Sequence, residues 1–135
     1  MLVTDASAWL GNVFPEQDAR YPRAVARAVA AGGAAVPWIF WFEVRHVLLM
    51  GERRERFTAA ASEEFLADLS SLGLAFDLHP GERVVLGLVR RHRLSVYDAA
   101  YLELAVRTGS TLASLDGDLK KAALAEGVPL FAAPA

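Results

Sequence analysis

The chain has 135 residues, which suits one compact domain, so we expect residues 1–135 to form a single domain. Hydrophobic residues make up 54 % of the chain and the formal charge is −2, which excludes general disorder and binding to nucleic acid through bulk positive charge alone. Since there is no cysteine, disulfides and thiolate metal sites are excluded too, and any metal needs oxygen or imidazole ligands.

The sequence predicts a cytoplasmic protein without a membrane segment. Residues 1–5 have no basic stretch ahead of an apolar run, so we expect no secretory signal. The longest uncharged stretch, 28–42, contains two glycines and a proline. It is shorter than the roughly 20 residues that cross a bilayer.

Short apolar strands and longer helices alternate along the chain. The spacing of apolar residues, with breaks at glycine and proline, predicts strands at 1–4, 34–36, 74–78, 111–115 and 128–132, and helices at 20–31, 38–50, 55–72, 81–92, 97–107 and 116–126. This order is typical of parallel strands joined by right-handed helical crossovers. We therefore predict an α/β fold, a three-layer α/β/α sandwich around a mainly parallel sheet of about five strands.

Four carboxylates stand out in this arrangement. Ligands of parallel sheets bind beyond the carboxyl ends of the strands, where Asp5 follows the first strand and Asp116 the fourth. Glu43 and Asp98 interrupt apolar helical segments. Two such charges about 4 Å apart repel by about 4 kcal/mol at an effective dielectric constant near 20, so convergence requires a cation. Oxygen ligands favour Mg²⁺ or Mn²⁺, which activates water and neutralises charge on a phosphodiester.

Each carboxylate also has a structural interpretation. Asp5 and Asp116 can cap the helices that follow them, and the segment 95–98 has the spacing of a capping box. Glu43 can pair with His46 on the same helix face. We favour a shared metal site, because four independent structural roles would otherwise have to coincide at strand ends and on apolar helix faces.

The surroundings of these acids form four motifs in order along the chain. They are Val3-Thr4-Asp5-Ala6-Ser7, Phe42-Glu43-Val44, the segment 94–105 with the sequence LSVYDAAYLELA, and the segment 111–116 with the sequence TLASLD. In this order the sequence resembles the PIN-domain ribonucleases, in particular the VapC-type toxins of bacterial toxin–antitoxin pairs. The likeness runs from residue 2 to about residue 130; each motif alone is weak, and the ordered set is fairly specific.

The resemblance implies a Mg²⁺-dependent endoribonuclease, with Mn²⁺ as the alternative ion. Such a protein hydrolyses RNA phosphodiester bonds, forms a homodimer and is inhibited by a small VapB-like antitoxin. Asp5, Glu43, Asp98 and Asp116 match the family's acidic quartet, which implies catalytic and metal-binding roles for all four. The main ligands would be the three aspartates, and Glu43 would orient the attacking water or bind a second ion.

Supporting residues follow from the same resemblance. Ser7 and Ser114 match the small hydroxyl positions beside the first and fourth acids. Two departures are His46, where asparagine is frequent, and Asp118, a further acid near the site that can assist or replace Asp116.

Two surfaces suggest binding partners. Arg90, Arg91 and Arg93 precede the Asp98 helix and suit phosphate contacts with RNA; the alternative is a solvated helix end. The aromatic run 38–42 surrounds its helix, so part of it can be exposed as a dimer or antitoxin surface. Core packing is the alternative for that run.

Other functions agree less well with the sequence. A PIN-like RNA-processing nuclease outside a toxin pair and a PIN-like binding module without catalysis share the same fold. A phospho-receiver signalling domain needs a lysine at a late strand end, but Lys120 and Lys121 lie inside the last predicted helix. A phosphatase with an Asp-x-Asp nucleophile is disfavoured because Ser7 occupies the second acidic position.

Overall fold

The computed structural model describes residues 1–14 and 18–134, and within them the chain forms four strands and seven helices. The strands are β1 (Leu2–Thr4), β2 (Ala34–Pro37), β3 (Ala75–Asp77) and β4 (Thr111–Ala113). The helices are α1 (Ser7–Leu10), α2 (Arg20–Gly32), α3 (Ile39–Arg53), α4 (Ala59–Ser71), α5 (Glu82–His92), α6 (Val96–Thr108) and α7 (Gly117–Ala125). No helix in the described ranges is long and apolar enough to span a bilayer.

All paired strands are parallel, in the order β3-β2-β1-β4. Val3 is in register with Ala35 of β2 and with Leu112 of β4. The carboxyl ends of β1 and β4 therefore lie side by side at one edge of the sheet. The predicted α/β/α class with a parallel central sheet is confirmed.

The central strands are short and largely apolar because helices cover them. Every residue of β1 and β2 is buried, as are Leu112 and Ala113 of β4. Helix α6 packs against both β1 and β2, and α2 packs against β1. Strands buried in this way read as continuous apolar runs rather than as alternating patterns.

The fifth predicted strand is reduced to one parallel bridge between Leu112 and Leu130. The amide of Leu112 donates to the carbonyl of Pro129 (2.9 Å), and the amide of Phe131 donates to the carbonyl of Leu112 (2.8 Å). Because Pro129 has no N–H, the ladder cannot extend through it. The sheet therefore has four strands where about five were predicted.

Two helix boundaries differ from the predictions by three or more residues. Helix α3 continues through Gly51, which was predicted to end it; a Cβ there would lie 2.2 Å from the Phe57 ring, so the glycine makes room for an aromatic side chain. Helix α4 begins four residues later than predicted, because the Thr58 side chain caps it by accepting a bond from the amide of Ala61 (3.2 Å).

One apolar residue of α5 lies outside the core. Val84 is 46 % exposed, although helical spacing in the sequence places it on the same face as Val85 and Leu88, which are buried. The inner face of this helix is therefore narrower than the apolar stripe in the sequence.

Helix α6 is held at its carboxyl-terminal half by a buried acid, Glu103, which is 2 % exposed. Its Oε1 accepts bonds from Nε of Arg107 (2.7 Å) and from the amide of Gly81 (3.0 Å). Nη2 of Arg107 also donates to Asp77 at the end of β3 (2.7 Å). These bonds join α6 to the loop between β3 and α5, which fixes the helix whose first turn carries Asp98.

Candidate functional site

The carboxyl edge of the sheet brings the ends of β1 and β4 into direct contact. Asp5 follows β1, and its amide donates to the carbonyl of Ala113, the last residue of β4 (3.1 Å). Ser114 therefore lies beside Asp5, although 108 residues separate them in the chain. This is the place where a parallel sheet normally binds its ligands.

Asp5 is only 5 % exposed, and its carboxylate is held by three donors. Oδ1 accepts from the hydroxyl of Ser7 (2.7 Å) and from the amide of Ala8 (3.1 Å). Oδ2 accepts a short bond from the hydroxyl of Ser114. These bonds partly compensate for burial, yet burial still raises the pKa of the Asp5 carboxyl, and the charge of Asp116 adds to the increase.

The two serines also organise the loop after β4. The Ser7 hydroxyl accepts from the amide of Leu115 (2.9 Å), and the Ser114 hydroxyl accepts from the amide of Asp116 (3.0 Å). Each hydroxyl thus joins the Asp5 carboxylate to the backbone of this loop. Asp5 and Asp116 are positioned by one continuous set of hydrogen bonds.

Glu43 reaches the same edge from α3. It is half-buried, and its Oε1 accepts a 2.7 Å hydrogen bond from the hydroxyl of Tyr101, which is fully buried in α6. The pKa of Glu43 is raised by burial and by the negative charges of Asp5 and Asp98. Its partner is therefore Tyr101, and the predicted alternative of a pair with His46 is not observed.

Asp98 lies in the first turn of α6, whose N-cap is Ser95. The Ser95 hydroxyl accepts from the amide of Asp98 (3.0 Å), which is one half of the predicted capping box. The pKa of Asp98 is raised by burial first, and then by the charges of Asp116, Asp5 and Asp118. Desolvation and the neighbouring negative charges therefore outweigh the lowering effect of Ser95 on this pKa.

Asp116 and Asp118 begin α7 and are exposed. Oδ1 of Asp116 accepts from the amide of Leu119 (2.9 Å), so this residue is the N-cap of α7, as the structural interpretation predicted. Capping occupies one carboxylate oxygen. Asp118 lies close enough to raise the pKa of Asp98.

The four acids are neighbours, but they do not form a closed ligand cage. Within residues 1–14 and 18–134, no three His, Asp or Glu side chains are arranged to hold a metal ion by themselves. The donors are all oxygens, and three of the acids have raised pKa values for which neighbouring carboxylates are a contributing cause. Mg²⁺ commonly binds through one or two carboxylates and retains several waters. The site therefore fits a hydrated divalent cation better than one enclosed by four direct ligands.

Sequence reasoning missed two tyrosines at the site. The spacing of Tyr101 with Ala100 and Leu104 predicts only an apolar helix face. The signal that points to a polar partner is a hydroxyl on a buried face three residues after Asp98. Tyr21 of α2 donates to the carbonyl of Phe131 (3.2 Å). Its pKa is raised mainly by burial, with a contribution from the charge of Asp5.

Comparison with known proteins decides the family, because a model of the PIN domain matches residues 2–124. This chain belongs to the PIN-domain family. The family consists of nucleases that generally use divalent metal ions, so the phospho-receiver and phosphatase alternatives are excluded. No curated protein matches the sequence.

Two solved structures have the fold of this PIN domain. PAE2754 from Pyrobaculum aerophilum is 21 % identical, with a TM-score of 0.70 over 90 % of this chain and 83 % of that one. VapC20 of Mycobacterium tuberculosis, a toxin that cleaves the sarcin-ricin loop, is 17 % identical, with a TM-score of 0.61 over 90 % of this chain and 95 % of that one.

One of the three arginines in the predicted cluster of the PIN domain is already paired within the protein, and the other two are exposed. Arg91 pairs with Glu126 through Nε (3.2 Å) and Nη2 (3.3 Å), and His92 contacts the same carboxylate at 2.6 Å. Arg90 and Arg93 are exposed. Neither side chain forms a hydrogen bond or an ion pair with the part of the chain that the structure describes.

An aromatic patch, defined here as Trp38, Trp41, Phe42 and Phe76, lies on α3 and the edge strand β3 of the PIN domain. All four side chains are exposed, whereas Phe40 is buried, so core packing accounts for only part of the aromatic run. Trp38 stacks on Trp41 (6.2 Å between centroids) and meets Phe76 edge-on (5.2 Å).

We predict that Asp98→Asn stabilises the metal-free protein at neutral pH, because burial and neighbouring carboxylates disfavour the ionised form of Asp98. An acid whose pKa is higher in the folded state binds more protons when folded. Its contribution to stability therefore falls as the pH rises from its ordinary pKa, about 4, through the raised folded value. Urea unfolding across this pH range, with a chelator present, measures the effect.

The matched control is Asp68→Asn, which removes the same charge from the exposed surface of α4. It should leave the unfolding midpoint almost unchanged. If Asp98→Asn is less stable than the wild type above the titration range, the repulsion inferred between these carboxylates is wrong.

Proposed function

We propose that this PIN domain is a divalent-metal-dependent endoribonuclease and the toxin of a type II toxin–antitoxin pair. The observation that carries the proposal is the placement of Asp5, Glu43, Asp98 and Asp116 around one edge of the sheet, with the pKa values of the first three raised. Uncompensated negative charge at the ligand edge of a nuclease fold favours an ion and a phosphate group bound through it.

The residues divide into two roles. Asp5, Asp98 and Asp116 would hold Mg²⁺, or Mn²⁺ as the alternative, which when bound supplies a polarised water and neutralises charge on the phosphate. Ser7 and Ser114 keep the Asp5 carboxylate in place. Asp118 assists as a further negative charge near Asp98.

Glu43 is the proposed base. Its Oε1 is occupied by the Tyr101 hydroxyl, which leaves Oε2 to accept a proton from the attacking water. The raised pKa of Glu43 makes its carboxylate a stronger base than a solvated glutamate. Tyr101 is then a positioning residue, since it touches the base and not the substrate.

The biological role rests on the structural likeness to VapC20, a toxin that cleaves the sarcin-ricin loop. We infer an RNA substrate, a small VapB-like antitoxin as partner and a cytoplasmic location. Arg90 and Arg93 are the proposed phosphate contacts, and Arg91 joins them only if it leaves Glu126. Binding through such contacts weakens steeply as the salt concentration rises.

We predict that Asp5→Asn and Asp98→Asn each lower the rate of RNA cleavage at least about 100-fold, because each removes a charge that holds the ion. The assay uses a panel of labelled RNAs with Mg²⁺, with Mn²⁺ and with a chelator. Circular dichroism verifies that both variants fold. Asp68→Asn on α4 should cleave like the wild type, and wild-type cleavage by both site variants would refute the proposal.

A second prediction concerns Tyr101→Phe, which removes only the hydroxyl bonded to Glu43. We expect the turnover rate to fall about 10-fold, because the base loses its orientation, while the free energy of unfolding changes by about 1 kcal/mol. The control is Thr108→Val, which removes a hydroxyl bonded to the carbonyl of Leu104 at the other end of the same helix. Equal turnover in both variants would show that Tyr101 does not position Glu43.

We also infer that a second copy of the chain covers the aromatic patch. Phe42 is 50 % exposed beside two exposed tryptophans, and contiguous apolar surface of this kind marks interaction sites. An antitoxin is the other occupant that the sequence suggests. In either case, covering the patch removes apolar area from water at a position next to Glu43.

The prediction is that light scattering finds a dimer for the wild type and a monomer, or a dimer at least about 10-fold weaker, for Phe42→Ser. The loss of one buried aromatic side chain from an interface typically weakens association by a factor of this size. Leu124→Ser, at an exposed apolar position on α7, is the control and should remain dimeric. A monodisperse wild-type monomer at high concentration would exclude a second copy as the occupant.

A further inference from the structure

Tyr97 is the one tyrosine that the fold of the described residues does not use. The chain has three tyrosines, and the hydroxyls of Tyr21 and Tyr101 both donate hydrogen bonds. Tyr97 is 59 % exposed, and its side chain forms no hydrogen bond or ring contact within residues 1–14 and 18–134. The Tyr97 hydroxyl and ring are therefore accessible to a ligand.

That position borders the carboxylate site. Tyr97 is the second residue of α6, directly before Asp98 and one turn before Tyr101, whose hydroxyl reaches Glu43. Residues four apart share a helix face, and helical side chains lean toward the amino-terminal end. Tyr97 therefore lies at the outer end of the row that leads through Tyr101 to Glu43, and along the chain it directly precedes Asp98.

Other exposed apolar side chains flank the same acids. Val96 precedes Tyr97 at the start of α6, and Leu115 lies between Ser114 and Asp116, with its amide held by Ser7. Part of the border of the negatively charged edge is thus apolar. A ligand that suits this site has a phosphate group, which can bind at the acids through a metal ion. It also has a flat apolar surface, which can contact the exposed apolar side chains.

We propose that Tyr97 stacks on a nucleobase next to the scissile phosphate of a single-stranded RNA. This inference rests on the proposed nuclease function and adds how the substrate is positioned. An exposed ring can stack on any unpaired base, whereas bases within a duplex are already stacked. Tyr97 is a substrate-positioning residue that favours unpaired segments of RNA over helical ones.

The test uses a single-stranded RNA whose cleavage site has been mapped with the wild type. Tyr97→Ala should raise KM about 10- to 100-fold with little change in kcat, since one stacking contact is worth a factor of this size. Tyr97→Phe should cleave like the wild type, because stacking needs the ring and not the hydroxyl. An abasic nucleotide at the stacked position should weaken the wild type to the level of Tyr97→Ala and leave Tyr97→Ala unchanged.

Binding is measured separately in the Asp5→Asn background, where fluorescence anisotropy reports RNA affinity without cleavage. If the wild type cleaves and Tyr97→Ala keeps the wild-type KM, stacking is wrong and the nuclease proposal stands. If the wild type cleaves nothing but binding still depends on the Tyr97 ring and on the base, the nuclease proposal fails and stacking stands. A phenylalanine variant as weak as alanine, or affinity independent of Tyr97, would overturn the stacking role.

Discussion

The candidate site depends on one buried carboxylate, Asp5, where β1 and β4 end side by side. Burial of this acid costs free energy that the donors Ser7, Ala8 and Ser114 only partly return, so its pKa stays above the ordinary value. The same donors fix the loop that carries Asp116. A buried ionised group stabilises the fold less than a neutral group would at the same position. Residues of this kind are typically kept because binding or chemistry requires them.

Local sequence signals were enough to predict the parallel sheet and the position of the acids at one of its edges. An acid that directly follows a strand, as at Thr4-Asp5, can be recognised without long-range information. The match of residues 2–124 to the PIN domain confirms the family inferred from the motifs. The roles of the four acids remain predictions. How these acids would hold an ion is less predictable, because the number of direct ligands depends on distances between side chains, which the spacing of residues along a chain does not contain.

Other features depended on contacts between distant segments. Tyr101 looked like a core residue because its ring is indeed buried, and only the fold shows that its hydroxyl meets Glu43, 58 residues earlier. Gly51 looked like a helix end, but it lies inside α3 because the Phe57 ring packs against it. The strand predicted at 128–132 paired at one bridge, since Pro129 interrupts the ladder.

The N-cap of α7 has a consequence for how the site can be dissected. Asp116 holds the first turn of this helix through Oδ1, so one side chain serves both a helix terminus and the charged edge. Asparagine caps helices as well as aspartate does, whereas alanine does not. Replacement by asparagine therefore separates charge from architecture, and replacement by alanine mixes the two. Binding of an ion by Asp116 would therefore also change the stability of the first turn of α7.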